Sequence, residues 1–412
     1  MMHERSIITT SRSSPFFSSF VSPFTIWRQK IVTSNKTSAL PIPEPCMRFV
    51  KRGRNNRLSM AQAWYRQASF VPALLVVVAV LIITFGGTIR IYDAGESCPD
   101  WPGCFGTWHF MVSEAEQAAY WDENPDQIDS RGADHRYTIF EIFLEWVHRL
   151  LVGIIAIPML WNMYSTQKNK NLWGREIRNA SWSAGIFLVI QAIAGAVTVI
   201  YDNSDWSVAL HLSLALTFTG FLVWQCMLHL KREGHPSFQF STSSEFIDSE
   251  KKRIFSLTLA VFVLLILGTW VASTAGGEYN KGCSIGMPDG WPQCQGELLP
   301  SFEHTGILVQ MLHRVGAAIV GMILVLGTMK LKDKSMQFSA PKIYGKCFDF
   351  ATGFWLLNIF VGGLYIVLAD ADGFPELLSL AHLIIGVSSF FSALMAVMFI
   401  RLSSSAGGES DE

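Results

Sequence analysis

The sequence predicts an all-α membrane protein of eight transmembrane helices, built as two parallel-repeat four-helix bundles with both termini cytoplasmic. Three observations predict it. Half of the 412 residues are hydrophobic and mean hydropathy is +0.30, too apolar for an ordinary soluble domain. Eight apolar runs, at 70–89, 138–164, 181–201, 206–229, 254–275, 306–329, 347–369 and 376–400, are each long enough to cross a bilayer, for which about 20 residues suffice, longer runs tilting. A motif in the first half of the chain also returns in the second.

Residues 1–60 are rich in Ser, Thr, Arg and aromatic residues and poor in acids. This resembles a transit-type presequence; the favoured readings are a disordered cytoplasmic tail or a true start at Met47 or Met60. The loops between the runs then set the orientation. Lys51, Arg52, Arg54 and Arg57 precede the first run. Lys168, Lys170, Arg175 and Arg178 follow the second, Lys231, Arg232, Lys251, Lys252 and Arg253 follow the fourth, and Lys330, Lys332, Lys334, Lys342 and Lys346 follow the sixth. The alternate loops are acidic: Asp93, Glu96 and Asp100, then Asp202 and Asp205, then Asp370 and Asp372. The positive-inside rule puts the basic loops and both termini in the cytoplasm, or in the matrix of an organelle. The chain divides accordingly into an N-terminal tail 1–69, a first four-helix half 70–229, a cytoplasmic linker 230–253, a second half 254–400 and a C-terminal tail 401–412. In the long first outer loop, Ser113-Glu114-Ala115-Glu116 has capping-box form and predicts a short surface helix ending near Tyr120. The net charge of −1 implies no basic face and no nucleic-acid partner.

The repeat carries the chemistry. Glu145-Trp146-Val147-His148-Arg149 maps onto Gln310-Met311-Leu312-His313-Arg314 at an offset of 165, and His211 onto His382 at 171. Gly86-Gly87 ahead of the first cysteine pair echoes Gly276-Gly277 ahead of the second. Internal repeats put sites at equivalent places in each half. Ionisable groups inside a membrane cost at least a few kcal/mol and usually mark function. At 1.5 Å per residue, His148 lies roughly 15 Å from the outer end of its helix, His211 roughly 8 Å, and His313 and His382 roughly 10 Å. Two histidines on two helices therefore share the outer leaflet in each half. Facing imidazoles in a four-helix bundle are a common way to hold haem iron. Zinc is a weaker reading, because no third or fourth ligand recurs with each pair. A lone histidine of this kind is more often a hydrogen-bonded core residue; four at repeating positions reverse that. Glycines near the histidines, among them Gly153, Gly195, Gly316, Gly362 and Gly386, let a flat macrocycle approach the backbone. Arg149 and Arg314 follow their histidines directly and are suited to haem propionates. The remaining histidines, including His109, His135, His229 and His304, receive no role.

The halves differ where it matters. Glu145 can accept a proton or stabilise positive charge, whereas the amide of Gln310 does neither well. The chemistry is therefore expected in the first half and a permanent redox group in the second. The competing reading makes Glu145 a structural partner of Arg149, four residues on.

Four of the seven cysteines form two close pairs in outer loops, Cys98 with Cys104 and Cys283 with Cys294, as expected of disulfides in an oxidising compartment. The first pair is spaced by six residues and the second by eleven. Each is either a staple over the site or a redox pair serving it.

Glu145-x-x-His148-Arg149, Cys98-Pro99-Asp100-Trp101-Pro102-x-Cys104, the Gly86-Gly87 leader and the eight-helix repeat together resemble the heme A synthase family over about residues 70–400. That resemblance implies oxidation of the C8 methyl of heme O to the formyl group of heme A by successive hydroxylations, for cytochrome oxidase biogenesis. It implies that His148 and His211 bracket the substrate heme O, that His313 and His382 ligate a resident haem b, and that Glu145 is essential. It also implies heme O synthase as substrate donor, cytochrome oxidase assembly as destination, surrounding lipid, and a quinone or other electron acceptor. Homo-oligomerisation stays open. The membrane is expected to be a prokaryotic plasma membrane, with the mitochondrial inner membrane as the alternative. The competing functional class is a bis-histidine cytochrome b that only moves electrons; a haem transporter is a third, less favoured because its broken midplane helices are not seen here.

Overall fold

The computed structural model describes residues 67–129, 131–272, 282–370 and 373–405. The N-terminal tail up to residue 66, Gly276-Gly277, Asp372 and residues 406–412 lie outside these. The described residues form nine α-helices, with isolated β-bridges in place of a sheet. Eight helices are long and apolar enough to cross a membrane: α1 (Phe70–Ile91), α3 (Ile139–Lys168), α4 (Lys170–Ile200), α5 (Asp205–Arg232), α6 (Ser244–Ala272), α7 (Thr305–Gln337), α8 (Ile343–Val367) and α9 (Glu376–Ser405). The chain is a multi-pass membrane protein. Helix is what its sequence dictates, because in hydrocarbon each peptide N–H and C=O must be paired within the segment.

Each of the eight expected spans coincides with one of these helices over the described residues, with 273–275 of the fifth lying outside them; the differences lie at the polar ends. The expected linker 230–253 is largely helical, since α5 continues to Arg232 and α6 begins at Ser244. Likewise α9 continues to Ser405, into the expected tail. An apolar run marks what the bilayer needs, whereas the helix continues through Lys, Arg, Glu and Gln, which are good helix formers. The third span, expected from residue 181, is preceded by helix from Lys170, bent at Gly174 with φ 76° and ψ −179°. That φ favours glycine, and the Arg232 guanidinium lies 2.9 Å from where a Cβ would sit.

Helices α1, α3, α4 and α5 close one ring of contacts, and α6, α7, α8 and α9 close another; α5 against α6, and α9 against α1 and α5, join them. The end remote from the cysteine loops is solid. Leu75, Ile155, Met159, Ala184 and Leu222 fill the first ring there, and Leu257, Leu324, Phe348 and Ala351 fill the second. Two buried amides knit the first: Asn162 Nδ2 donates to Gln225 Oε1 and Gln225 Nε2 to Asn162 Oδ1, both at 2.9 Å. Asn162 Nδ2 also reaches Ser181 Oγ at 3.1 Å. Satisfied polar groups of this kind bind helices together where lipid offers no hydrophobic driving force.

The opposite end is capped by loops. The expected surface helix is α2 (Glu114–Glu123), and both capping-box hydrogen bonds of Ser113 and Glu116 are present. A second capping box, Thr138 with Glu141, starts α3; its Thr-x-x-Glu signature was legible but not used. The first loop has its own core, including Phe105, Val112, Trp121 and Tyr137. Buried Gln117 clamps it, donating to Tyr137 O and accepting from Tyr137 N at 2.9 Å each. Glu96 is 7% exposed and accepts from Asn203 Nδ2 at 3.1 Å, tying this loop to the α4–α5 turn. Burial, reinforced by the charge of Asp129, pushes its carboxyl up to about 7.

Candidate functional site

Between the solid end and the loops lies a cavity of about 910 Å³, lined by residues of both rings. His148, His211, His313 and His382 all line it, as do Glu145 and Gln310. Heme-sized ligand cavities fall in this size class. His148 and His211 line the cavity from the first ring, and His313 and His382 from the second.

Each imidazole rests on a glycine of a neighbouring helix. A Cβ built on Gly86 would lie 3.2 Å from His148 Cε1; the corresponding distances are 3.1 Å for Gly195 and His211, 2.8 Å for Gly268 and His313, and 2.7 Å for Gly362 and His382. Contacts under 3.0 Å cannot be relieved without moving the ring or the helix. The sequence had singled out Gly86, Gly195 and Gly362 but not Gly268, and assigned small residues to the macrocycle rather than to the imidazoles. The Gly86-Gly87 leader splits its work: Gly86 receives His148, while Gly87 receives Leu383 of α9, whose Cδ2 fills the space a Cβ would take.

The two kinds of histidine differ in partners. Among the described residues, Nδ1 of His148 and Nδ1 of His313 are buried without a hydrogen bond. His382 Nδ1 lies 3.0 Å from the main-chain carbonyl of Asn358. A carbonyl only accepts, so Nδ1 carries the proton and Nε2 keeps its lone pair. His211 instead faces the side-chain amide of Gln191, whose Nε2 is 2.9 Å from Nδ1 and 3.2 Å from Nε2. Neither Gln191 nor Asn358 was singled out in the sequence. The signal was there: Gln191-x-x-x-Gly195 returns as Asn358-x-x-x-Gly362 at an offset of 167.

Glu145 and Arg149 form an ion pair at 2.8 Å, with side chains 8% and 11% exposed. The remaining donors of Arg149 go to the disulfide loop rather than into the cavity: Nη2 to Cys98 O at 2.7 Å, and Nη1 to Gly103 O at 2.5 Å and to Asp100 O. Arg314 repeats this, with Nη1 donating to Gly290 O at 2.7 Å and Gln293 O at 2.8 Å. Both arginines thus brace their loops, because the reach of the side chain from the helix brings the fork to the loop carbonyls. Arg314 Nε and Nη2 are buried without partners among the described residues and keep capacity for an anion.

The loops they brace are alike. Cys98–Cys104 and Cys283–Cys294 are both disulfides, with Cα–Cα distances of 4.4 and 4.9 Å, so the eleven-residue spacing is no obstacle. Trp101-Pro102-x-Cys104-x-Gly106 returns as Trp291-Pro292-x-Cys294-x-Gly296, an echo the sequence reading missed. In both, the residue after the cysteine and the following glycine have positive φ: 51° and 72° at Phe105 and Gly106, 56° and 75° at Gln295 and Gly296. Arg149→Lys tests the bracing. A lysine lacks the fork that serves several carbonyls at once, so hydrogen–deuterium exchange over residues 92–112 is expected to rise at least severalfold. Unchanged exchange would return Arg149 to a role in the cavity alone.

Of the histidines given no role, His229 is buried at the solid end against Trp173, with ring centroids 4.8 Å apart, and His135 contacts Arg131 in the first loop. Neither lines the cavity.

The COX15-CtaA family, described as cytochrome oxidase assembly protein, matches residues 70–397. Among curated proteins, the chain is similar to the heme A synthase of Geobacillus thermodenitrificans, 25% identical over 339 residues, covering 79% of this chain and 89% of that one. It is also similar to the heme A synthase of Ruegeria pomeroyi, 26% identical over 387 residues, covering 84% and 90%. A third relative, the heme A synthase of Shewanella oneidensis, is 25% identical over 288 residues, covering 64% and 79%.

Proposed function

Because the chain belongs to the COX15-CtaA family of cytochrome oxidase assembly proteins, we propose that it is a heme A synthase, oxidising the C8 methyl of heme O to a formyl group by successive hydroxylations. The observation that carries this reading is the asymmetry of one cavity: Glu145 lines it in the first ring where Gln310 lines it in the second. The two rings of helices are read as parallel repeats, with the basic helix ends and both termini cytoplasmic and the disulfide loops outside. The membrane is read as a plasma membrane, with the mitochondrial inner membrane as the alternative.

The residues present fit haem. Four imidazoles project into the cavity on glycine seats that any larger residue would fill, His382 is fixed as the tautomer that offers Nε2, and Arg314 holds two orphaned buried nitrogens. In this reading His313 and His382 hold a resident haem b, and His148 and His211 bracket the substrate heme O. Bound there, haem b supplies a one-electron relay. Glu145 accepts a proton or stabilises positive charge as the methyl is oxidised. Arg149 aims the Glu145 carboxylate and ties it to the disulfide loop. The disulfides act as staples of those loops. Heme O synthase would donate the substrate, cytochrome oxidase assembly would receive the product, and a quinone or similar carrier would take the electrons.

The glycine seats give a test of the resident site. Gly362→Ala would put a methyl 2.7 Å from His382 Cε1, so haem b content is expected to fall severalfold in absorbance of the purified protein. Gly353→Ala, on the same helix with nothing within 4 Å, is expected to leave it unchanged. Equal content in both variants would remove Gly362 from the site.

The proposed activity is tested by co-expression with a heme O synthase in a host lacking heme A, followed by haem extraction and mass analysis. Heme A in the extract is the expected result. Haem b alone, with heme O unchanged and the protein folded, would overturn the proposal in favour of a bis-histidine cytochrome b.

A further inference from the structure

His211 and His382 occupy equivalent places, but their partners obey different chemistry. The carbonyl of Asn358 can only accept, so it holds one tautomer of His382 at all times. A side-chain amide has a donor end and an acceptor end, interchanged by a half-turn of its terminal torsion. The donor end of Gln191 faces His211, within hydrogen-bonding distance of both ring nitrogens. Its acceptor end, Oε1, is buried with no partner among the described residues.

A free imidazole and a metal-bound one need different things. The free ring has a bare nitrogen that wants a donor. A ring whose nitrogen binds iron is left with one N–H, which wants an acceptor. We infer that Gln191 is a positioning residue that turns its amide when haem enters, so that Oε1 accepts the ring N–H of an iron-bound His211, whereas the Asn358 carbonyl serves His382 without turning. The inference rests on the proposed function, in which the first ring must take in heme O and let heme A go at each turnover. In the empty cavity the Gln191 amide N–H₂ donates to the bare ring nitrogen. In the loaded cavity Oε1 takes the ring N–H and loses its own orphan status. Loading therefore pairs two groups that the empty cavity leaves without partners among the described residues, the ring N–H and Oε1, so the amide favours the iron-bound form of His211.

The test uses the full-length protein with its resident haem in detergent and haemin as the probe. Haemin binding is followed by low-spin absorbance, its release by transfer to apomyoglobin, and its midpoint potential by spectroelectrochemistry. Gln191→Met keeps the volume but has no hydrogen-bonding end; it is expected to release haemin roughly 10-fold faster, within the range for lost partners of metal-bound histidine. Gln191→Glu can accept from the ring N–H as a carboxylate, raising ligand basicity; it is expected to release haemin roughly 10-fold more slowly and to lower its potential. The resident haem is expected to keep its content and potential in both. Opposite displacements by two side chains of similar size distinguish positioning from mere packing. Wild-type release in both variants, or faster release in both, would overturn the inference. His211→Ala separates the two levels of argument. If it abolishes haemin binding while the Gln191 variants behave as wild type, only the inference falls. If it binds haemin normally, the ligand assignment falls and the inference with it.

Discussion

Glu145→Gln is expected to keep its haem and lose heme A formation by about 10²–10⁴-fold, the range that a positioned acid or base contributes. The substitution is close to silent in shape, and the second ring already carries an amide at the equivalent Gln310, which is buried at 2% exposure. Arg149 Nε, now 2.8 Å from Glu145 Oε1, can still donate to an amide oxygen. Its other donors stay on the carbonyls of Cys98, Asp100 and Gly103, so the loop keeps its brace. Breaking a buried ion pair by removing one charge is nevertheless expensive, typically about 3–5 kcal/mol when nothing else compensates. Haem content and thermal stability must therefore be measured beside product. A variant that is folded, haem-loaded and inactive supports the chemical role. A folded variant making heme A at the normal rate refutes it and leaves Glu145 as the structural partner of Arg149. A variant that fails to load haem is met by Glu145→Asp, which keeps the charge and restores loading if the defect is electrostatic.

The parts of the molecule legible in the sequence are those that the bilayer makes one-dimensional. Hydrocarbon forces each crossing to be a helix of known rise, so counting residues gave the eight spans and put His148, His211, His313 and His382 at one end. All four line one cavity. Loop charge and cysteine placement are likewise properties of position along the chain, and both disulfides formed as paired. What escaped depends on rotation of one helix against another. Gly268 gives no hint in sequence that it faces His313 rather than lipid. Arg149 was read by its neighbour in the chain, His148, whereas its reach along the helix carries the guanidinium to the loop. Gln191 and Asn358 were visible only to a comparison of the halves at an offset of 167, one that the offsets of 165 and 171 at the histidines conceal. Helix ends were missed for a simpler reason: the apolar run stops where the bilayer does, while helical hydrogen bonding at α6 and α9 does not.

The second large effect is expected from His313→Ala and His382→Ala, each of which should lose most of the resident haem b, to roughly a tenth of wild type or less by the usual cost of losing a metal ligand's contribution. The argument is geometric. His382 is committed to one tautomer by Asn358 O at 3.0 Å and seated on Gly362; Tyr365 closes its flank with ring centroids 5.6 Å apart. His313 sits on Gly268 and is followed by Arg314, whose Nε and Nη2, without partners among the described residues, suit a propionate. An alanine at either position removes the imidazole that the glycine seat holds in place. The fold should survive, because both residues line a cavity rather than the core, and the solid end of the second ring, around Leu257, Leu324, Phe348 and Ala351, is untouched. His211→Ala is the informative control. It lies in the other ring, so haem b content and its low-spin absorbance should stay at wild-type level while capacity for added haemin falls. Full haem b retention in both His313→Ala and His382→Ala would break the pairing and move the resident site to His148 and His211. Glu145 would then stand beside the permanent group, and the division of labour between the rings would have to be reversed.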